Sequence, residues 1–163
     1  MPLPQIFTIG HSNYQPQPFL ELLQKHQITA IADVRSQPHS KFAPHFNRET
    51  LEAILLRHHI KYFFIGRELG ARREERECYI AGQARYDLIK NLPAFQQGLQ
   101  RLHHVAATER IALMCSEKDP LTCHRTILIG RELRAQMTIT HILDGGTLEP
   151  HPAAETRLLK LMG

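Results

Sequence analysis

Apolar residues along this chain alternate between two patterns: short continuous runs, and positions spaced three and four apart. Gln5 to Ile9 is the first continuous run and stops at Gly10. Ala30 to Val34 is the second, apolar enough to be buried on both faces. Lys61 to Ile65 is a third, rich in aromatic and β-branched residues. Arg110 to Cys115 and Thr138 to Leu143 give a fourth and a fifth, the last ended by Asp144-Gly145-Gly146. Between them lie helical spacings: Phe19, Leu22, Leu23 and His26 after prolines at 16 and 18, then Leu51, Ile54, Leu55 and His58, then Phe95, Leu99, Leu102 and Ala106. A helix is predicted from about Thr122 to Ala135, and Ala154, Leu158, Leu161 and Met162 predict a short closing helix. Residues 66–85 are polar and arginine-rich and are expected to form a long functional loop.

Strands separated by helices require crossover connections. The pattern therefore predicts a single α/β domain over residues 1–163, with a mainly parallel sheet of about five strands and helices on both faces. In such folds ligands bind outside the carboxyl ends of the strands. Those ends are polar here: Gly10-His11-Ser12 after the first strand, Asp33-Val34-Arg35-Ser36 after the second, Glu68 and Gly70 near the third, and Cys115-Ser116-Glu117 after the fourth.

Composition narrows the setting. Hydrophobic residues make up 42% and charged residues 22%, the profile of a folded globular chain rather than a disordered one. No apolar run approaches bilayer length, and the N-terminus lacks a basic, apolar leader, so a cytoplasmic protein without membrane association is expected. Three cysteines, Cys78, Cys115 and Cys123, are an odd number, which argues against a disulfide framework. The net charge of +4 favours anionic partners: a small anionic ligand or nucleotide, or nucleic acid.

The densest chemistry lies between Cys115 and Arg125. Asp119-Pro120 reads as a helix opening, with Thr122 as a later alternative cap. Either start places Cys123, His124 and Arg125 in or near the first turn, where free backbone N–H groups and the helix dipole favour an anion and lower a thiol's pKa. Cys115 reads either as a packed residue or as a partner thiol. The seven residues between the two cysteines match neither a dithiol redox motif nor a zinc knuckle, so no metal or other cofactor is expected. Gly10 permits close backbone approach, and His11 and Ser12 can hydrogen-bond a phosphate. Asp33 could act as a base or orient a histidine, or be structural, bridging to Arg35 or Arg125 or bonding backbone donors. In the loop after the second strand, Ser40 and Lys41 could contact a phosphate, while Phe42 and Phe46 could cap a base or fold inward.

Thr8-Ile9-Gly10-His11-Ser12, Asp33-Val34-Arg35-Ser36 with Pro38 and Ser40, Glu68-Leu69-Gly70, and the Leu113 to Arg125 stretch together resemble the family catalogued as domain of unknown function 488. His141 and Ile142 fit that family's last strand. The resemblance implies an α/β fold with these motifs in one site, and it implies no activity. A looser likeness, by the Asp-Val-Arg strand end and a cysteine-bearing loop before a helix, is to rhodanese-like domains.

The resulting expectation is an enzyme with a thiol-containing anion pocket, of a cysteine-dependent transferase, hydrolase or thiol-redox kind. Cys123 is the expected nucleophile or redox thiol, and Cys115 the resolving or supporting thiol. His11 or His124 would move protons, and Glu117 or Asp33 would orient them. Gly10, Ser12, Arg35, Ser40, Glu68, Gly70 and Arg125 would hold the substrate. The rival expectation is a nucleic-acid or nucleotide binding module without covalent chemistry, motivated by the net charge and by the arginines of residues 66–85. A third is a scaffold in which the two cysteines are structural.

Overall fold

The computed structural model of the chain describes residues 3–70, 75–80, 83–117, 119–122 and 124–162, without the side chains at 78, 83, 84, 86, 122, 124–127 and 162. Its strands are β1 (Gln5–Gly10), β2 (Ala30–Asp33), β3 (Lys61–Phe64), β4 (Tyr79–Ile80), β5 (Gln83–Ala84), β6 (Ile111–Cys115), β7 (Thr138–Ile142) and β8 (Leu148–Pro150). Its α-helices are α1 (Pro16–Lys25), α2 (Arg48–Arg57), α3 (Gly66–Leu69), α4 (Tyr86–Ile89), α5 (Pro93–Ala106), α6 (His124–Leu133) and α7 (His151–Met162). No described helix is long and apolar enough to cross a membrane.

Six strands form one sheet in the order β3-β2-β6-β1-β7-β8, and β4 and β5 form a separate ribbon. Five of the six are mutually parallel, as the alternation of strand and helix patterns requires. The sixth, β8, was not expected. It runs antiparallel to β7 at the edge, pairing Leu148 with Ile142 and Pro150 with Thr140. A three-residue strand ending in proline has too little period to show in a sequence, and an edge tolerates the missing N–H. Within residues 66–85 the described parts hold α3, a 3₁₀ turn at Arg76–Cys78 and the small ribbon. These are short local elements where one long loop was expected.

Alternation along each strand divides the core between the two faces of the sheet. Ile6, Leu113 and Cys115 face one way, into a cluster with Phe95, Leu99 and Leu102 of α5 and Leu128, Ile129 and Leu133 of α6. Phe7, Ile9, Ala112 and Met114 face the other, against Phe19, Leu20 and Leu23 of α1 and Leu51 and Leu55 of α2. The helix after β1 therefore covers one face and the helix after β6 covers the opposite face. Since β1 and β6 are neighbours, the chain leaves them in opposite directions at their carboxyl ends. That divergence is a topological switch point, the place where open α/β sheets leave a crevice.

Candidate functional site

The backbone frames the crevice tightly. Gly10 lies opposite Cys115 in the parallel register. Beyond it the His11 N–H donates to the Cys115 carbonyl at 2.9 Å, and the Ser12 N–H donates to the Ser116 carbonyl at 2.8 Å. Ser12 has a φ of 45°, in the left-handed region that non-glycine residues seldom enter. Such conformations cluster where a fold must aim a backbone at something. The chain turns there from β1 toward α1, which Pro16 opens at its first position.

Beneath this turn sits a buried polar cluster. Asp33 is fully buried and Arg35 is 3% exposed. The Arg35 Nε–H and Nη2–H groups donate to the two Asp33 carboxylate oxygens at 2.9 and 2.8 Å. The Arg35 backbone N–H adds a third bond to Asp33 at 3.1 Å, and the Tyr62 hydroxyl of β3 a fourth at 2.5 Å. A second Nη2–H donates to the Phe46 carbonyl at 2.8 Å, and Nη1 reaches His11 Nε2 at 3.3 Å. Of the five guanidinium N–H groups, four are thus engaged.

His11 is held as firmly. Its ring stacks on Phe46 with centroids 4.6 Å apart. Nδ1 lies 2.9 Å from the Ser12 carbonyl, which can only accept, so Nδ1 carries the proton and Nε2 presents its lone pair to Arg35. Burial, with the Arg35 guanidinium next in effect among the factors that lower it, pushes the imidazole down to about 4. His11 is therefore neutral near pH 7. Asp33 balances the charge of Arg35, so the cluster as a whole is close to electroneutral. Burial and the Asp33 carboxylate push the Tyr62 phenol up, which keeps it a donor.

Cys115 is a buried thiol whose Sγ lies 3.6 Å from the Glu117 carbonyl, while the Glu117 side chain is exposed. Pro120 opens a 3₁₀ turn, and Asp119 accepts the Leu121 N–H at 3.0 Å, the cap its sequence position predicts. The α-helix proper begins at His124. Cys123 itself, and the side chains of His124, Arg125 and Cys78, lie outside the described residues.

The remaining candidates divide. Gly70 packs against the second strand's exit: a Cβ there would stand 2.2 Å from Ser36 Oγ and 2.4 Å from the Gly66 carbonyl oxygen. Glu68, half-buried on α3, lies against Gly98 of α5. Ser40 is engaged within its own loop. Its N–H donates to Asn47 Oδ1 at 2.7 Å, and its hydroxyl oxygen accepts the Phe42 N–H at 3.1 Å. That loop turns Phe46 inward, 1% exposed, and Phe42 outward, 99% exposed. Sequence reasoning passed over Tyr62, whose only signal was an aromatic residue in a strand, and left Phe46 undecided.

A neighbouring cleft of about 470 Å3 opens past the end of β7, lined by Asp119, Leu143, Asp144, Glu149 and Arg157. Arg157 of α7 spans it, bonding Glu149 at 2.9 and 3.0 Å and Asp119 at 3.0 and 3.2 Å. This guanidinium holds the Asp119 carboxyl below its ordinary range and ties α7 to the loop before α6. Among the described residues no group of three His, Cys, Asp or Glu side chains could hold a metal ion.

A family model described as "Domain of unknown function DUF488" matches residues 15–131, from just before α1 to within α6. No curated protein and no solved structure matches the chain.

Proposed function

The chain belongs to the DUF488 family, and from that premise we propose that it is an enzyme whose anion pocket lies at the β1/β6 switch point, with Cys123 as its attacking or redox thiol. One observation carries this reading: Gly10-His11-Ser12, Asp33, Arg35 and Cys115 converge at the ends of three neighbouring parallel strands, where the chain diverges to opposite faces. The opening of α6 follows Cys123 directly, and backbone N–H groups of a helix start would favour an anion and a thiolate there. His124 and Arg125 would add charge there, and Ser12 a hydroxyl. Arg35, already matched by Asp33, contributes its remaining Nη1–H and positions His11. The substrate class is a phosphate or nucleotide-like anion.

The test is alkylation of the native protein across pH 5–9, with each cysteine followed by mass spectrometry, with and without inorganic phosphate. Cys123 is expected to react with a midpoint below the ordinary thiol value of about 8.5 and to be protected by phosphate. Cys115, being 3% exposed, is expected to stay unmodified until the chain unfolds. An ordinary profile at Cys123 with no protection removes the proposal.

Phe42 favours a second reading, a nucleic-acid binding module. A phenyl ring wholly in water, beside exposed Lys41 and on a loop fixed by its own hydrogen bonds, suits base stacking with a phosphate contact. It requires binding to single-stranded oligonucleotides that weakens steeply with salt and survives Cys123→Ser.

A further inference from the structure

Away from the switch point, a chain of hydrogen bonds runs from inside the sheet to the surface. Thr8 Oγ1 of β1 lies 2.6 Å from His141 Nδ1 of β7, its direct neighbour in the parallel register. His141 Nε2 lies 2.9 Å from His151 Nδ1, at the start of α7. His151 Nε2 lies 3.0 Å from Glu155 one turn on, and Glu155 meets Arg134 at 2.8 and 3.0 Å. His141 is 1% and His151 3% exposed. The α6 backbone closes over the second ring, since a Cβ on Gly130 would stand 2.7 Å from His151 Cε1.

With both rings neutral, this geometry fixes every proton. The Glu155 carboxylate only accepts, so His151 Nε2 carries hydrogen, and in the neutral ring its Nδ1 is then bare. His141 Nε2 must then donate to His151, leaving its own Nδ1 to accept from the Thr8 hydroxyl. Both rings are neutral and share one hydrogen between them. A first added proton can sit on His141 Nδ1, because Thr8 Oγ1 can turn and accept. A second sets N–H against N–H across the 2.9 Å gap, and Gly130 leaves the ring no room to withdraw while α6 and α7 stay packed.

We propose that the His141–His151 pair is an acid-operated latch: it fastens α7 to the sheet at neutral pH and releases it as the medium acidifies. The charged groups that face the pair among the described residues are Glu155 and Arg157 on α7, Arg131 and Arg134 on α6, and Asp119 in the turn before α6. Glu155 is shared with Arg134 and Asp119 with Arg157, so among the described residues each carboxylate facing the pair is already matched by a guanidinium. Burial, before any charge, lowers both rings, His141 to about 4, whereas a released ring titrates near 6.5. The released form therefore binds more protons, and opening is favoured as pH falls from 6.5 through about 4. Linkage makes this roughly tenfold in the opening constant per pH unit for each histidine freed. Because α7 also carries Arg157, release withdraws the guanidinium from Asp119 and unties the loop that leads to Cys123. The latch stands on this geometry whether or not the loop serves a thiol enzyme.

Hydrogen exchange on the full chain, corrected for the pH dependence of intrinsic exchange, tests it directly. Below pH 6.5 and down to pH 5 the α7 amides are expected to lose protection, approaching tenfold per pH unit for each histidine freed, while those of β1 and β6 keep theirs. In His151→Phe, which keeps a ring in the slot but takes no proton, the pH dependence of α7 protection is expected to fall by at least one proton's share. Imidazole nitrogen NMR on the wild-type chain is a second measure that needs no variant. Both rings are expected neutral at pH 7, and the doubly protonated pair is expected only together with α7 opening. The latch is overturned if α7 protection tracks the core in wild type, if His151→Phe opens with the same pH dependence, or if either ring titrates near 6.5 with α7 still protected.

Discussion

Asp33→Asn is the sharpest probe of the buried cluster. The carboxylate receives four donors: the Arg35 backbone N–H, its Nε–H and Nη2–H, and the Tyr62 hydroxyl. Asparagine keeps the shape and one acceptor but points an NH2 at two of these donors. It also leaves the Arg35 charge, 3% exposed, without a counter-charge. Removing one partner of a buried ion pair costs about 3–5 kcal/mol, mostly the burden of the unpaired survivor. With a urea slope of about 2 kcal/mol/M for a chain of this size, the unfolding midpoint should fall by roughly 2 M. Urea titrations followed by circular dichroism measure this. The control is the double variant Asp33→Leu with Arg35→Met, which removes both charges and should recover most of the loss, since apolar replacement of a whole buried pair is often near neutral. If Asp33→Asn costs under about 1 kcal/mol, or the double variant is no better than the single, the ion pair is not what holds the second strand's end, and the argument from burial is wrong.

Three further outcomes follow from the same geometry. Gly70→Ala should lower stability by about 1–3 kcal/mol in thermal melts, because its methyl would press on the Gly66 backbone and on Ser36. Acid should destabilise the fold. His11 is pushed down to about 4 in the native state against an ordinary 6.5, so unfolding takes up a proton, and stability is lost as pH falls from 6.5 through about 4. Chemical denaturation at pH 7, 6 and 5 reads this slope, and His11→Asn should reduce it by one proton's share. Phe42→Ser should change stability by less than about 0.5 kcal/mol, since the ring is 99% exposed, yet it should weaken oligonucleotide binding measured by anisotropy if that ring stacks on bases.

The local patterns were readable without coordinates because each element signals its own period. Five parallel strands, the helices between them, the Pro120 turn with its Asp119 cap, and the polar residues at the strand ends all came from spacing along the chain. Tertiary structure alone decided which of these ends are neighbours. Nothing local makes β6 the strand between β1 and β2, yet that placement sets Cys115 opposite Gly10 and creates the divergence of the chain at their ends. Asp33 left several roles open in sequence: a base, an orienter, an ion pair with Arg35 or Arg125, or an acceptor of backbone donors. Its bonding combines an ion pair with Arg35, that residue's backbone N–H and the Tyr62 hydroxyl arriving from β3. The His141–His151 contact was equally hidden, because it forms only when β8 folds back along β7 and returns α7 to the sheet. Periodicity is a property of short segments. Pairing between distant segments depends on which surfaces must leave water together, and a sequence does not display that order along its length.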